Sequence, residues 1–266
     1  GNAVLVDSLP DVMEAIGAVV TATGNNVSTT LPGTPVFEDL QNSDGIDDTV
    51  TFDFGDVTNT PDGVDDANDR LTVQIVARIV DVPANVGGNV LVNNAQFTHD
   101  GGSLSDDADI EIVEPQTDLT KSMGPVTDGT VRISLTIDNT GTAPAYDLSV
   151  EDVFDEADWN LGGFSPVSVP TGFTLNLQAG TPGPDQQTLV FATDPGAVSP
   201  AGTVPAGSSV SAVFDVPLAV LPPGPNPLPN TADQVAGDTL PGENPTERDL
   251  PIDSDTDQIG APDLEL

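Results

Sequence analysis

Alternation of apolar and polar residues, broken every few positions by glycine or proline, governs what this chain can fold into. Val131, Ile133, Leu135 and Ile137 alternate with polar neighbours, Tyr146, Leu148 and Val150 follow the same rule, and Leu71, Val73, Ile75, Ala77 and Ile79 form a third stripe. A period of two puts such residues on one face of a pleated strand. The 26 glycines and 25 prolines run through the whole chain, in turn clusters such as PVTDG, NTGTAP and PAGSS. They suit many short strands and argue against long helices. Aromatics make up only 4% of residues, so Val, Ala, Leu and Ile must build the core. Residues 10–20 (PDVMEAIGAVV) are the one segment that reads as a short helix or an irregular stretch. The expected class is all-β, with several strands per unit closing into a β-sandwich.

The chain also repeats itself. PQTDLTK at 115–121 and PDLEL at 262–266 each follow an acidic stretch, and the interval from Asp118 to Asp263 equals that from Asp7 to Asp152. VNNA at 92–95 and PNTA at 229–232 form a third pair, at an interval shorter by a few residues. RLTVQIVARIVDVP (70–83) corresponds to SSVSAVFDVPLAVLP (208–222). Ordered matches at nearly one spacing define a tandem repeat. The expected organisation is a partial repeat over 1–114 without its opening strands, a complete repeat over 115–256, and a linker with the first strand of another over 257–266. The first residue is Gly1 rather than Met, as expected of a processed or partial piece of something longer.

Composition excludes several functions. Against 43 acidic residues stand 5 basic ones, for a net charge of −38. Such a chain repels nucleic-acid backbones and anionic membranes, and needs salt or divalent cations to screen it. No cysteine is present, so disulfides do not staple the fold, and no apolar run approaches a membrane span. No nucleophile–histidine arrangement, phosphate loop or zinc spacing appears, so an enzyme is not expected.

The segment DLTKSMGPVTDGTVRISLTIDNTGTAPAYDLSVEDVF (118–154) resembles the opening of a conserved surface-protein repeat, the family known as domain of unknown function eleven. Lys121, the Asn139-Thr140-Gly141 turn and Asp152 fill the family's marked places. Asp7-Ser8-Leu9-Pro10 matches the last of these in the earlier unit, and Asn230-Thr231-Ala232 and Asn93-Asn94-Ala95 match its closing strand. The Asp118-Leu-Thr-Lys121 spacing is shorter than the family's, and Val-Phe stands in place of Leu-Pro after Asp152. The resemblance implies tandem immunoglobulin-like β-sandwich repeats of a large bacterial or archaeal envelope protein.

Lys121 is the only lysine. On a strand it shares a face with Leu119 and Met123, so its ammonium points into the core and must be paired, neutral or consumed. Asp152 continues the apolar face of Leu148 and Val150. Asn230 lies on what reads as the last strand, which in a sandwich commonly runs beside the first. Two readings remain open. One is an intramolecular isopeptide bond, with the neutral Lys121 amine attacking the Asn230 carboxamide and Asp152 moving protons. The other is a plain buried ion pair. Asp7 and Asn93 are the partial equivalents in the first unit, and their lysine is expected upstream of Gly1, or a neighbouring chain supplies the strand.

NSDGIDD (42–48) and PDGVDDANDR (61–70) echo each other. Asp44, Asp47 and Asp48, and Asp62, Asp65, Asp66, Asn68 and Asp69, are candidate oxygen ligands for Ca2+, because glycine permits the tight turns that gather such groups. The alternative is ordinary Asp-Gly turns on a solvated surface. The expected function is structural: extracellular repeat material of a filament, stalk or surface layer, associating with neighbouring repeats or copies of itself. An adhesin module with calcium-stabilised loops is the competing reading.

Overall fold

The computed structural model describes residues 2–41, 43–179, 182–197, 201–220, 227–242 and 247–259. The chain divides into two compact units, with the boundary between Ile112 and Val113 in the sequence. Both are all-β, apart from two three-residue 3-10 turns.

The second unit is a closed sandwich. Its strands are β9 (Thr117–Met123), β10 (Thr130–Asn139), β11 (Tyr146–Asp155), β12 (Ser165–Ser168), β13 (Phe173–Ala179), β14 (Gln186–Thr193), β15 (Ser208–Pro217), β16 (Leu228–Asp238) and β17 (Asp253–Ile259). One sheet runs β12-β15-β10-β9 and the other β13-β14-β11-β16-β17, with antiparallel pairing throughout. The stripes read from the sequence face inward: Val131, Ile133, Leu135 and Ile137 are fully buried, and so are Val150, Phe154, Phe191, Ala212, Phe214 and Val216. Trp159 meets Phe154 edge-on at one end of this core, with ring centroids 5.3 Å apart.

The first unit contains β1 (Asn2–Ser8), β2 (Met13–Thr23), β3 (Val27–Thr29), β4 (Pro35–Glu38), β5 (Thr49–Asn59), β6 (Leu71–Ile79), β7 (Val90–His99) and β8 (Gly102–Glu111). One sheet runs β3-β5-β1-β7-β8, with β4 also on β5, and the other is the pair β2-β6. This pairing order matches that of β11 to β17, with β3 and β4 together in the place of β13. Among the described residues, nothing in the first unit corresponds to β9 and β10.

Two expectations change. Residues 13–23 form β2, not a helix. Met13 and Ala15 alternate inward while pairing with β6, and bulges after Ala15 and Val20 break the strict period and mimic a helical pattern. The closing strand of the second unit runs to Ile259, across the break expected at 256. Residues 260–266, expected to open a further repeat, lie outside the described residues.

Candidate functional site

The repeat markers settle into one register. Asp152 on β11 stands opposite Ala232 on β16, two residues after Asn230. Asp7 on β1 stands opposite Ala95 on β7, two residues after Asn93. Each aspartate therefore meets an asparagine of the neighbouring strand on the inward face.

In the second unit the third member is present. Lys121 lies on β9 beside Leu135 of β10, and its side chain crosses the sandwich to the opposite sheet. Nζ donates to the Asp152 carboxylate and to Oδ1 of Asn230. All three residues are buried: Lys121 is 3% exposed, Asp152 0% and Asn230 5%. The Asn230 amide nitrogen donates to the Val153 carbonyl at 2.7 Å, which turns its carbonyl oxygen toward the amine. The Phe154 ring lies 5.3 Å from Nζ and helps keep the site dry.

The electrostatics follow from burial. Loss of solvent pulls the Lys121 amine below the usual lysine range, against the opposing pull of Asp152 and, more weakly, Asp257 and Asp255. Burial pushes the Asp152 carboxyl up to about 6, again against its partner's charge. Each group is driven toward its neutral form, which is what amine attack and proton transfer by a carboxylic acid require.

The strand geometry differs from the expectation that the strand of Asn230 runs beside the first. β16 lies in the opposite sheet and faces β9 across the core, while β17 comes alongside β9. A row of aspartates, unrecognised in the sequence, makes that junction. Asp253, Asp255 and Asp257 accept the backbone N–H groups of Leu119, Lys121 and Met123 at 2.6, 2.7 and 2.6 Å. The second oxygen of each accepts the N–H of the following residue. The alternating Asp-x-Asp-x-Asp spelling was the available signal, but it also reads as a solvated acidic edge. Asn139 is structural as well: it accepts from Gln116 and Gly141 and donates to the carbonyls of Ala143 and Val204. Gly141 is required in that turn, because a Cβ there would sit 2.4 Å from the Gln116 nitrogen.

In the first unit, Asp7 is buried and accepts from the Asn93 amide at 3.1 Å. Its other oxygen and Oδ1 of Asn93 are enclosed without a hydrogen-bond partner. Burial raises the Asp7 carboxyl above its ordinary value, more than the Asn93 bond lowers it.

The acidic loops use their carboxylates locally. Asp48 is buried and accepts from the N–H groups of Leu40 and Gln41 and from the Thr49 hydroxyl. Asp44 accepts from the N–H of Ile46, while the half-buried Asp47 offers its backbone carbonyl to Ala15. Asp66 caps the short turn Ala67–Asp69 through the N–H of Asn68, and Asp69 reaches back to the N–H of Asp66. Asp62 and Asp69 both take the amide of Asn26, and Asp65 lies 3.7 Å from Arg70. Among the described residues, no group of three or more His, Cys, Asp or Glu side chains converges as a metal site.

No family model matches the sequence, and no curated protein matches it. Solved structures to which the chain is similar include the cohesin module of a family 33 glycoside hydrolase from Clostridium perfringens. The identity is 10%, over 56% of this chain and 98% of that one, with a TM-score of 0.32. Another is a protein from Corynebacterium diphtheriae named as membrane anchored, at 11% identity over 100% of this chain and 83% of that one, with a TM-score of 0.28.

Proposed function

We propose that this chain is load-bearing repeat material of an extracellular filament, stalk or surface layer, of the conserved surface repeat it resembles, and that its second unit closes itself with a Lys121–Asn230 isopeptide bond. The observation that carries this reading is the buried meeting of the Lys121 amine with both Asp152 and the Asn230 carboxamide. The neutral amine attacks Cγ of Asn230, forming a C–N bond. The neutral Asp152 acid gives its proton to the carboxamide oxygen, then takes one from the new ammonium and passes it to the departing nitrogen; the carboxamide C–N bond breaks as the carbonyl reforms and returns the proton to Asp152. Two amines and one acyl group are thus exchanged: an amide replaces an amide, and one ammonia leaves. Asn230 also lines a surface depression with Val153, Trp159 and Leu228, which offers ammonia a way out.

The mechanical benefit comes from placement. The two residues are 109 apart in sequence and belong to opposite sheets. By analogy with disulfides, closing such a loop stabilises by about 4–5 kcal/mol at most. Tension entering at β9 passes through the bond to β16, and everything between is shielded. The chemistry is one self-processing step, not turnover. An adhesin with calcium-held loops is the competing reading, and it requires the 42–48 or 61–70 carboxylates to turn from backbone N–H groups to the ion.

Intact mass spectrometry tests the bond. The chain is expected one ammonia lighter than its sequence, with a cross-linked peptide joining Lys121 to Asn230, and both signals vanish in Lys121→Met and Asp152→Ala. A full, unmodified mass leaves only the ion pair and overturns the covalent reading. Single-molecule stretching tests the load-bearing role: the second unit is expected to yield no extension from residues 122–229.

A further inference from the structure

The first unit is a sandwich with one side open. Among the described residues, its β6 pairs only with β2, whereas the corresponding β15 lies between β12 and β10. The consequence shows in burial. Leu71, Val73, Ile75 and Ala77 line the inner face of β6 but are only half-buried, while Ala212, Phe214 and Val216 on β15 are fully enclosed. Ala95 on β7 is half-buried, and Ala232 at the same register is 0% exposed.

Polar groups mark the same absence. Asp7 is 6% exposed, and Oδ1 of Asn93 has no partner. In the second unit the equivalent residues, Asp152 and Asn230, both accept from Lys121. A third group is also in place. Asp106 stands opposite Ala95 as Asp255 stands opposite Ala232. Its Oδ1 accepts the following N–H, as that of Asp255 does. In Asp255 the remaining oxygen holds the backbone N–H of Lys121, while Asp106 is exposed.

We propose that the first unit is an acceptor for a lysine-bearing β-hairpin built like residues 117–139, whose second strand pairs with β6 and whose lysine seats between Asp7 and Asn93. Asp106 receives that lysine's backbone N–H. The apolar face of the hairpin covers the half-buried stripe of β6, and its cation meets a carboxylate with no positive partner. The capture is non-covalent first, by strand addition and burial. It then becomes covalent through the chemistry proposed for Lys121, and this second step rests on that reading: the lysine nitrogen bonds to Cγ of Asn93, the carboxamide C–N bond breaks, and one ammonia departs by way of Asp7.

The probe is a synthetic peptide of residues 115–140, added to the full 266-residue chain. Isothermal titration and intact mass are read together, with peptide mapping to locate any bond. The expected result is saturable binding at one site, then an adduct of chain plus peptide less one ammonia, joined at Asn93. The adduct is lost with Asn93→Ala, and also with the peptide carrying Lys121→Met, which still binds. Because Asn93→Ala shortens an inward side chain, hydrogen exchange of β1 and β5 in that variant confirms that the unit stays folded. Absence of binding, or an adduct mapped to Asn230 instead, overturns the proposal. Binding without an adduct, from a chain whose own Lys121–Asn230 bond is intact, keeps the docking site and overturns the covalent step. A chain with no internal bond that binds the peptide without forming an adduct sinks the covalent reading of both units and leaves the docking site standing.

Discussion

The backbone N–H of Lys121 donates to the Asp255 carboxylate at 2.7 Å, so the residue at the centre of the site is held through its main chain as well as its side chain. This contact and its neighbours at Leu119 and Met123 let an edge strand of one sheet end against carboxylates of the other. They leave no unpaired row of donors for another chain to copy. Replacing Asp255 with Ala removes the acceptor of the Lys121 N–H and is expected to cost about 1–3 kcal/mol. Hydrogen exchange at the Lys121 amide checks it directly, with protection expected to fall there and at the adjoining positions of β9 while the β10 amides change little.

The pH dependence separates a bonded from an unbonded second unit. Asn230→Ala removes the acyl group, so Lys121 and Asp152 persist as a buried pair. The Asp152 carboxyl is then held near or above the value of about 6 that burial gives it, against an ordinary 3.8. Between those values the folded chain binds a proton that the unfolded chain does not. Stability therefore falls as pH rises from about 4 to about 6, by up to about 3 kcal/mol. The Lys121 amine, lowered by burial, contributes in the opposite sense: its share is lost as pH falls through its folded value. The wild-type chain, once bonded, has no Lys121 amine to titrate but keeps the buried Asp152 carboxyl, now without the cation that lowered it, so its loss of stability is expected to extend to higher pH with no opposing share from Lys121. Chemical denaturation at a series of pH values reads both.

Asp152→Ala blocks the bond while keeping both groups that would form it. It leaves the Lys121 ammonium buried beside an amide oxygen alone, and breaking a buried pair in this way costs about 3–5 kcal/mol. Lys121→Met blocks the bond equally but leaves no charge behind, so it is expected to be the milder variant. Melting temperatures of the two, compared at neutral pH, check the order.

Local pattern carried much of this fold, and the registry of the site came with it. Alternation at Val131–Ile137 and Leu71–Ala77 identified strands and their inward faces, because a half-buried strand has no other way to sort its side chains. The matched places of Asp7 and Asp152 in the repeat reflected shared pairing, and the buried Lys121 was legible because a lone lysine on an apolar face must find partners. The β2 segment was misleading because its bulges shift the period, and bulges are set by pairing with a distant strand. The Asp253–Asp257 row was hidden for a related reason. Its partners are backbone N–H groups 134 residues away, and a backbone donor has no sequence signature.

The acidic loop at 39–48 gives the last prediction. Asp48 is 1% exposed and accepts three hydrogen bonds, from Leu40, Gln41 and Thr49, while Asp39 takes the N–H groups of Ser43 and Gly45. A carboxylate so used closes the loop by itself, and a bound cation would have to compete with backbone donors already in place. Asp48→Ala is therefore expected to destabilise the first unit by about 1–3 kcal/mol, with the same loss in calcium and in excess chelator. The wild-type melting temperature is likewise expected to be indifferent to chelation. A drop on adding chelator, abolished in Asp48→Ala or in Asp66→Ala, would instead place an ion in these loops and favour the adhesin reading.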